Sequence, residues 1–166
     1  MLKIIAYSDA SFANLIDGVS SGRGHIIFLT DDKLQSAPLN WTTNKVKRVV
    51  SSTLAAEALS LQECLNTAVY IRYIIIEALK MRTEDIPIIA YTDSNNVVKA
   101  IHSTTLVSDR KLRIDIGAIK QSITEENVTV KWMPTAHMLA DGLTKKGADV
   151  RKLSSVLQHG KLPSNK

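Results

Sequence analysis

Cysteine is nearly absent from this sequence: Cys64 is the one thiol among 166 residues. A lone cysteine can form neither an internal disulfide nor a thiolate zinc cluster. Its apolar helical neighbours predict an inert, buried group, so any metal bound here must be held by oxygen or nitrogen. Long apolar runs are also lacking. The longest, residues 73–79, is broken by Glu77 and falls far short of the roughly 20 residues of a membrane-spanning helix. The N-terminus carries no signal-peptide pattern. A soluble protein without an address for secretion is expected. At 45% apolar residues the chain suits one domain with a real core and leaves no room for a second. A single domain over residues 1–159 and a polar tail over 160–166 are expected.

Proline and glycine are missing from residues 51–80, where Leu54, Ala58, Leu61, Leu65, Ala68, Ile75 and Leu79 recur at helical spacing. That is one long helix, with Ser52 or Thr53 as its N-cap. Before it lie three β-type runs, residues 3–9, 24–30 and 34–43, the last interrupted by Pro38 and all separated by turn residues; they predict an antiparallel meander. After it come a strand over 86–93, a short helix over 94–102, a helix over 109–126 and a strand over 128–133. Pro134 stops that last strand, Thr135 is placed to cap a helix through Asp141, and residues 150–157 form a final helix. Helices between the first and fourth strands, and between the fourth and fifth, call for crossovers linking parallel neighbours. The fold class is α/β: a mixed five-stranded sheet, three strands antiparallel and then two parallel, flanked by helices.

The net charge of +5 favours a polyanionic partner. Its distribution says more than its size. Lys45, Lys47 and Arg48 precede the long helix, Arg110, Lys111 and Arg113 open a later one, and Lys145 and Lys146 follow the last acidic motif. Each cluster taken alone is equally well read as a solvated surface.

Four carboxylates stand out. Two strands read alike, Ile4-Ile5-Ala6-Tyr7-Ser8-Asp9 and Ile88-Ile89-Ala90-Tyr91-Thr92-Asp93, each closing on an aspartate after a hydroxyl residue. If these strands are parallel neighbours, both aspartates emerge at the carboxyl edge where open α/β sheets hold their ligands. Side by side they repel unless a cation lies between them; the plainer alternative is that each only ends a strand or caps the next helix. Glu57 has Leu61, Cys64 and Ala68 on its own helical face, so it points toward the sheet. The alternative for it is a first-turn glutamate favoured by the helix dipole, although Leu54, three residues earlier, supplies no capping box. Asp141, between apolar neighbours, would by itself pass for a helix-terminal surface acid.

The order Asp, Glu, Asp, Asp on first strand, long helix, fourth strand and last helix resembles the ribonuclease H family. Local motifs narrow the resemblance: Tyr7-Ser8-Asp9-Ala10-Ser11-Phe12-Ala13, Ser51-Ser52-Thr53 leading to Glu57, Tyr91-Thr92-Asp93-Ser94-Asn95, the run from Asp109 to Ile116, and Pro134-Thr135 followed by Ala140-Asp141-Gly142-Leu143-Thr144-Lys145. Together, over residues 3–147, they are similar to the ribonuclease H region of copia-type retrotransposon Pol polyproteins. Two departures stand beside the likeness. Glu57 comes four residues after Thr53, one turn deeper than the glutamate of many relatives. His137, the candidate for the family's catalytic histidine, precedes Asp141 by only four residues instead of sitting on a loop well before it.

The resemblance implies a ribonuclease H-like fold and hydrolysis of the RNA strand of RNA/DNA hybrids during reverse transcription, leaving 5′-phosphate and 3′-hydroxyl ends. It implies that Asp9, Glu57, Asp93 and Asp141 bind two Mg²⁺, with Mn²⁺ as an alternative. Asp9 would bridge the ions, with Glu57 and Asp93 on one side and Asp141 on the other. Hard oxygen ligands suit such ions. Ser11, Ser94, Asn95 and Asn96 are candidates for minor-groove contacts, and Lys45, Lys47, Arg48, Arg110, Lys111 and Lys145 for phosphate contacts. An upstream reverse transcriptase of the same polyprotein is the implied partner, with this chain an excised piece behind an introduced Met1. Virus-like particles in the cytoplasm are the implied location; no membrane and no small-molecule cofactor are expected. An integrase or transposase is disfavoured because its catalytic glutamate comes last in the chain. A non-catalytic ribonuclease H-like binding or connection module is the alternative of a different class.

Overall fold

The look-alike strands lie side by side. In the computed structural model, which describes residues 1–12, 21–47, 50–105 and 107–164, β1 (Lys3–Ser11) runs parallel to β4 (Ile88–Thr92), with Ile4 opposite Ile88 and Ser8 opposite Thr92. On its other side β1 pairs antiparallel with β2 (Gly22–Thr30), which pairs antiparallel with β3 (Ser36–Lys45). Strand β5 (Val128–Trp132) lies parallel to β4, giving the order β3-β2-β1-β4-β5. This is the mixed sheet expected from the sequence. Pro38 falls on the edge strand, next to a register shift at Ile27 and Phe28, where a missing N–H is tolerated.

Alternation along β1 and β2 divides the core between two faces. Ile4, Ala6 and Ile27 point to one face, where they meet the apolar sides of α1 (Thr53–Leu79), α2 (Asn95–His102) and α3 (Arg110–Glu125). Ile5, Tyr7, Ile26 and Phe28 point to the other, against Met133, Met138, Leu139 and Ala140 and against Val156 of α5 (Arg151–His159). Cys64 is buried on the α1 side. Leu162, inside the segment expected to be a polar tail, is also buried on the second face, and Lys161 bridges Gln35. Among the described residues no helix is long and apolar enough to cross a membrane.

Three local expectations need correction. Asp9 does not end β1; pairing continues to Ser11 opposite Gly22. Leu34 does not open β3, because Asp31 accepts from the N–H groups of Lys33 and Gln35 and turns the chain, leaving Leu34 at φ 64°. The helix expected from Thr135 through Asp141 is absent. Thr135–His137 form one 3-10 turn, Met138 is extended, and a separate one-turn helix, α4 (Asp141–Thr144), follows. Met138, Leu139 and Ala140 are all buried in succession, which a surface helix with one apolar stripe cannot provide.

Candidate metal centre

The parallel register of β1 and β4 brings Asp9 and Asp93 to the same sheet edge. Helix α1 adds Glu57: Ser52 accepts from the N–H of Ala55 at 3.1 Å and starts the helix, so that Glu57, five residues on, lands against β1. Ser60, one turn further, donates to the Asp9 carbonyl at 2.8 Å and accepts from Ser8 at 3.0 Å, tying the helix to the strand through a buried hydroxyl pair. Asp9, Glu57 and Asp93 then each offer a carboxylate oxygen within 4.8 Å of the others.

These acids are not equally solvated. Asp9 is fully buried and Glu57 nearly so, whereas Asp93 is partly exposed. Among the described residues Asp9 Oδ1 and Glu57 Oε2 have no hydrogen-bond partner. Burial, reinforced by the neighbouring charges of Asp93 and Asp141, pushes the Asp9 carboxyl up to about 6, although Thr144 and Lys145 pull the other way. Burial, with the fields of Asp9 and Asp93 added, pushes Glu57 up to about 9 against the hydrogen bond from the Ala10 N–H. Two buried carboxyls with raised affinity for protons and orphaned oxygens fit a divalent cation.

Asp93 is positioned from β5 and beyond. Thr135 Oγ1 donates to its Oδ2 at 2.6 Å, and the Trp132 indole donates to its carbonyl at 3.0 Å. Asp141 stands apart from the group of three. It opens α4, where Lys145 Nζ is ion-paired with its Oδ1 and lies 3.6 Å from Asp9 Oδ2. Thr144 Oγ1 also hydrogen-bonds Asp9 Oδ2. Gly24, paired with Asp9 in the sheet, makes this approach possible. A Cβ on Gly24 would meet Thr144 Cγ2 at 2.9 Å and Leu143 Cβ at 3.0 Å, so a side chain there would push α4 away from Asp9.

The other sequence candidates separate. Ser11 is buried and its hydroxyl accepts from the N–H of Gly22 at 3.2 Å, at the last pair of β1 with β2. Ser94 caps α2 through the N–H of Val97, leaving Asn95 and Asn96 exposed on its first turn. Lys45 and Lys47 are exposed at the end of β3 and beyond, and Arg110 and Lys111 are exposed at the start of α3. Ser51 donates to Asp109 at 3.1 Å, joining the start of α3 to the residues before α1. Arg48 lies outside the described residues. Lys145, expected to meet phosphate, is turned inward to the acids. His137 is exposed on the 3-10 turn and lines a groove with Lys152, Ser155 and Val156, while Asp141 lines a different one. Sequence reading missed Thr135, Thr144, Trp132 and Ser60 as supports. Thr135 and Thr144 lay inside the quoted motifs, but nothing local marked a hydroxyl whose partner is 42 or 135 residues away.

A five-stranded mixed sheet with three acids at its carboxyl edge defines a ribonuclease H-like domain, and solved structures agree. The chain is similar to the N-terminal RNase H domain of a Mycobacterium tuberculosis protein, at TM-score 0.64 and 16% identity over 96% of each chain. It is also similar to an RNase H1 solved in complex with an RNA/DNA hybrid, at TM-score 0.60 and 20% identity over 86% of this chain and 94% of that one. No family model matches the chain. Among curated proteins it is 30% identical over 145 residues, 87% of its length, to the retrovirus-related Pol polyprotein from transposon RE1 of Arabidopsis thaliana. The chain spans 9% of that relative's length. It is a ribonuclease H-fold domain related to the Pol polyproteins of retrotransposons.

Proposed function

We propose that the chain is the ribonuclease H of a copia-type Pol polyprotein, an endonuclease that hydrolyses the RNA strand of RNA/DNA hybrids during reverse transcription and leaves 5′-phosphate and 3′-hydroxyl ends. The observation that carries this reading is the pair of buried, unpartnered oxygens, Asp9 Oδ1 and Glu57 Oε2, in a cluster with Asp93. Leaving buried carboxylate oxygens unsatisfied costs stability, and a cation would relieve it. Mg²⁺ or Mn²⁺ held by Asp9, Glu57, Asp93 and Asp141 would supply the charge neutralisation, water activation and leaving-group stabilisation of two-metal phosphodiester hydrolysis.

The chain's own residues do the positioning. Asp9, rigid within β1, is the acid shared by both halves of the cluster. Glu57 is fixed by α1, buried, and accepts from the Ala10 N–H. Thr135 and Trp132 hold the Asp93 carboxylate and main chain in one orientation. Asn95 and Asn96 stand exposed just after Asp93 and suit minor-groove and 2′-hydroxyl contacts. Lys45, Lys47, Arg110 and Lys111 would hold phosphates, so binding should weaken with salt and show little base preference. In this reading residues 1–159 act as one domain attached to an upstream reverse transcriptase within virus-like particles.

One observation favours a second reading, a non-catalytic hybrid-binding module: the Asp141 carboxylate is already paired with a cation of the protein itself. The discriminating measurement is cleavage of a labelled RNA strand in a hybrid, beside single-stranded RNA and duplex DNA, with Mg²⁺, Mn²⁺ or EDTA, comparing wild type with Asp93→Asn. Hybrid-only, metal-dependent cleavage that the substitution abolishes is expected. A folded, hybrid-binding wild type that never cleaves would establish the second reading.

A further inference from the structure

Lys145 follows Asp141 by one helical turn, and its ammonium sits between two acids on different elements: ion-paired with Asp141 on α4 and 3.6 Å from Asp9 on β1. Thr144 fills the same Asp9 oxygen, Oδ2. The opposite oxygen of Asp9 and Glu57 Oε2 have no hydrogen-bond partner among the described residues. Among the described residues the cluster is therefore divided: the ammonium is paired on the Asp141 side, and on the Glu57 side it acts only through its field.

Resting on the metal-nuclease reading above, we propose that Lys145 is a displaceable internal counter-ion that fills the second divalent-cation position, between Asp9 and Asp141. The two positions then load unequally. The one formed by Asp9, Glu57 and Asp93 accepts an ion directly, while the one between Asp9 and Asp141 accepts an ion only after the ammonium leaves, because the two cations repel at such short range. The lysine can leave without unseating α4. Its side chain is 35% exposed, its four-carbon stem is flexible, and Lys146 and Gly147 beyond it are exposed. The helix itself stays seated against Gly24. A phosphate arriving with the hybrid offers the displaced ammonium a new partner, so loading of the second ion becomes coupled to substrate binding, a reciprocal linkage between two sites.

The test is Mn²⁺ binding without nucleic acid, followed by calorimetry and by the magnetic resonance signal of bound Mn²⁺, on the whole chain and on Lys145→Met, which keeps an unbranched stem and removes the charge. Wild type should bind one ion, with a second at least tenfold weaker. Lys145→Met should bind the second at least tenfold tighter than wild type does, and Lys145→Arg should retain the wild-type inequality. Melting in EDTA reports folding, and Lys145→Gln serves in place of the methionine variant if that one does not fold. One ion bound by wild type with an unchanged or weaker second ion in the uncharged variants overturns the counter-ion and leaves the nuclease reading standing. No ion bound by any form overturns both.

Discussion

The inner and outer halves of the acidic cluster are built differently. Asp9 and Glu57 sit on regular elements, in a long strand and a 27-residue helix, and are locked together by the Ser8–Ser60 hydroxyl pair beneath them. Asp141 sits on a single helical turn reached through a 3-10 turn and three buried residues, and it has a lysine for company. The inner half is preorganised by the fold but electrostatically incomplete; the outer half is complete without metal but held by short elements. A rigid, charge-deficient pair suits a tightly placed ion, whereas a self-neutralised acid on a short turn suits an ion that comes and goes.

That contrast predicts unequal losses. Asp9→Asn removes the acid common to both halves and should lower hybrid cleavage by roughly a thousandfold or more, about 4 kcal/mol of transition-state stabilisation, in protein that still melts cooperatively. Asp141→Asn should cost roughly ten- to a hundredfold, and raising Mn²⁺ should recover part of it. Steady-state cleavage of both variants checks the order, and equal losses would erase the distinction between the halves.

Proton linkage separates the halves by pH. Asp9 and Glu57 are raised in the folded chain, from 3.8 to about 6 and from 4.5 to about 9, so the native state holds protons that the unfolded state has released. Between about pH 4 and 9 these two acids therefore make the metal-free protein lose stability as pH rises, opposed in part up to about pH 7 by His25, whose imidazole is lowered by burial and so favours the folded state as it loses its proton. Asp85 and Asp149, paired with arginines, and Asp109, which caps α3 and accepts from Ser51, are all lowered; their contribution is gained as pH rises through the acidic range and is complete above about pH 6. Metal binding expels the carboxyl protons. In EDTA the melting temperature should fall by at least about 3 °C from pH 6 to pH 8.5, a scale set by roughly 1 kcal/mol in a chain of this size, and the gain on adding Mg²⁺ should grow over the same range. Paired melts at the two pH values test it. A gain that shrinks with rising pH would mean the ion is not replacing those protons.

The support of Asp93 gives a smaller effect. Thr135→Val keeps the shape and removes the hydroxyl at 2.6 Å from Oδ2. Such indirect supports of a ligand carry roughly ten- to a hundredfold in metal affinity, and the lower end is expected because Asp93 is partly exposed and water can replace the lost donor. Mn²⁺ titration of the variant measures it, and Thr135→Ser should restore most of the affinity.

How much of this was legible before folding follows the range of the interactions. The look-alike strands announced their pairing because each carries its own period and the same Tyr-hydroxyl-Asp pattern, and the register bears this out. Glu57 could be placed on the sheet-facing side of α1 because its i+4 and i+7 neighbours are apolar. The stretch after β5 was misread because Thr135 looks like an N-cap locally, while its hydroxyl bonds Asp93, just past the end of β4. Lys145 read as one more surface cation because the acid it faces besides Asp141 lies 136 positions earlier. Gly24 showed no sign of admitting a helix to Asp9. Local pattern specifies elements and faces; contacts made by one hydroxyl or one missing Cβ across the fold do not write themselves into the spacing.

His137 stands outside both halves, in a groove that Asp141 does not line. A histidine four residues before Asp141 invites a role in proton transfer, which requires hydrogen-bond reach of the reacting groups. The 3-10 turn sends it instead into the groove lined by Lys152, Ser155 and Val156, on the α5 side, while Thr135 from the same turn reaches back to Asp93. Residues two apart thus serve opposite sides of one turn. His137→Ala should therefore change the maximal rate on hybrid by less than about threefold, under 1 kcal/mol, and should leave the alkaline limb of the rate profile where it was. A loss of roughly a hundredfold, the scale of general acid–base catalysis, would mean that the turn rearranges when substrate binds and carries His137 to the acids.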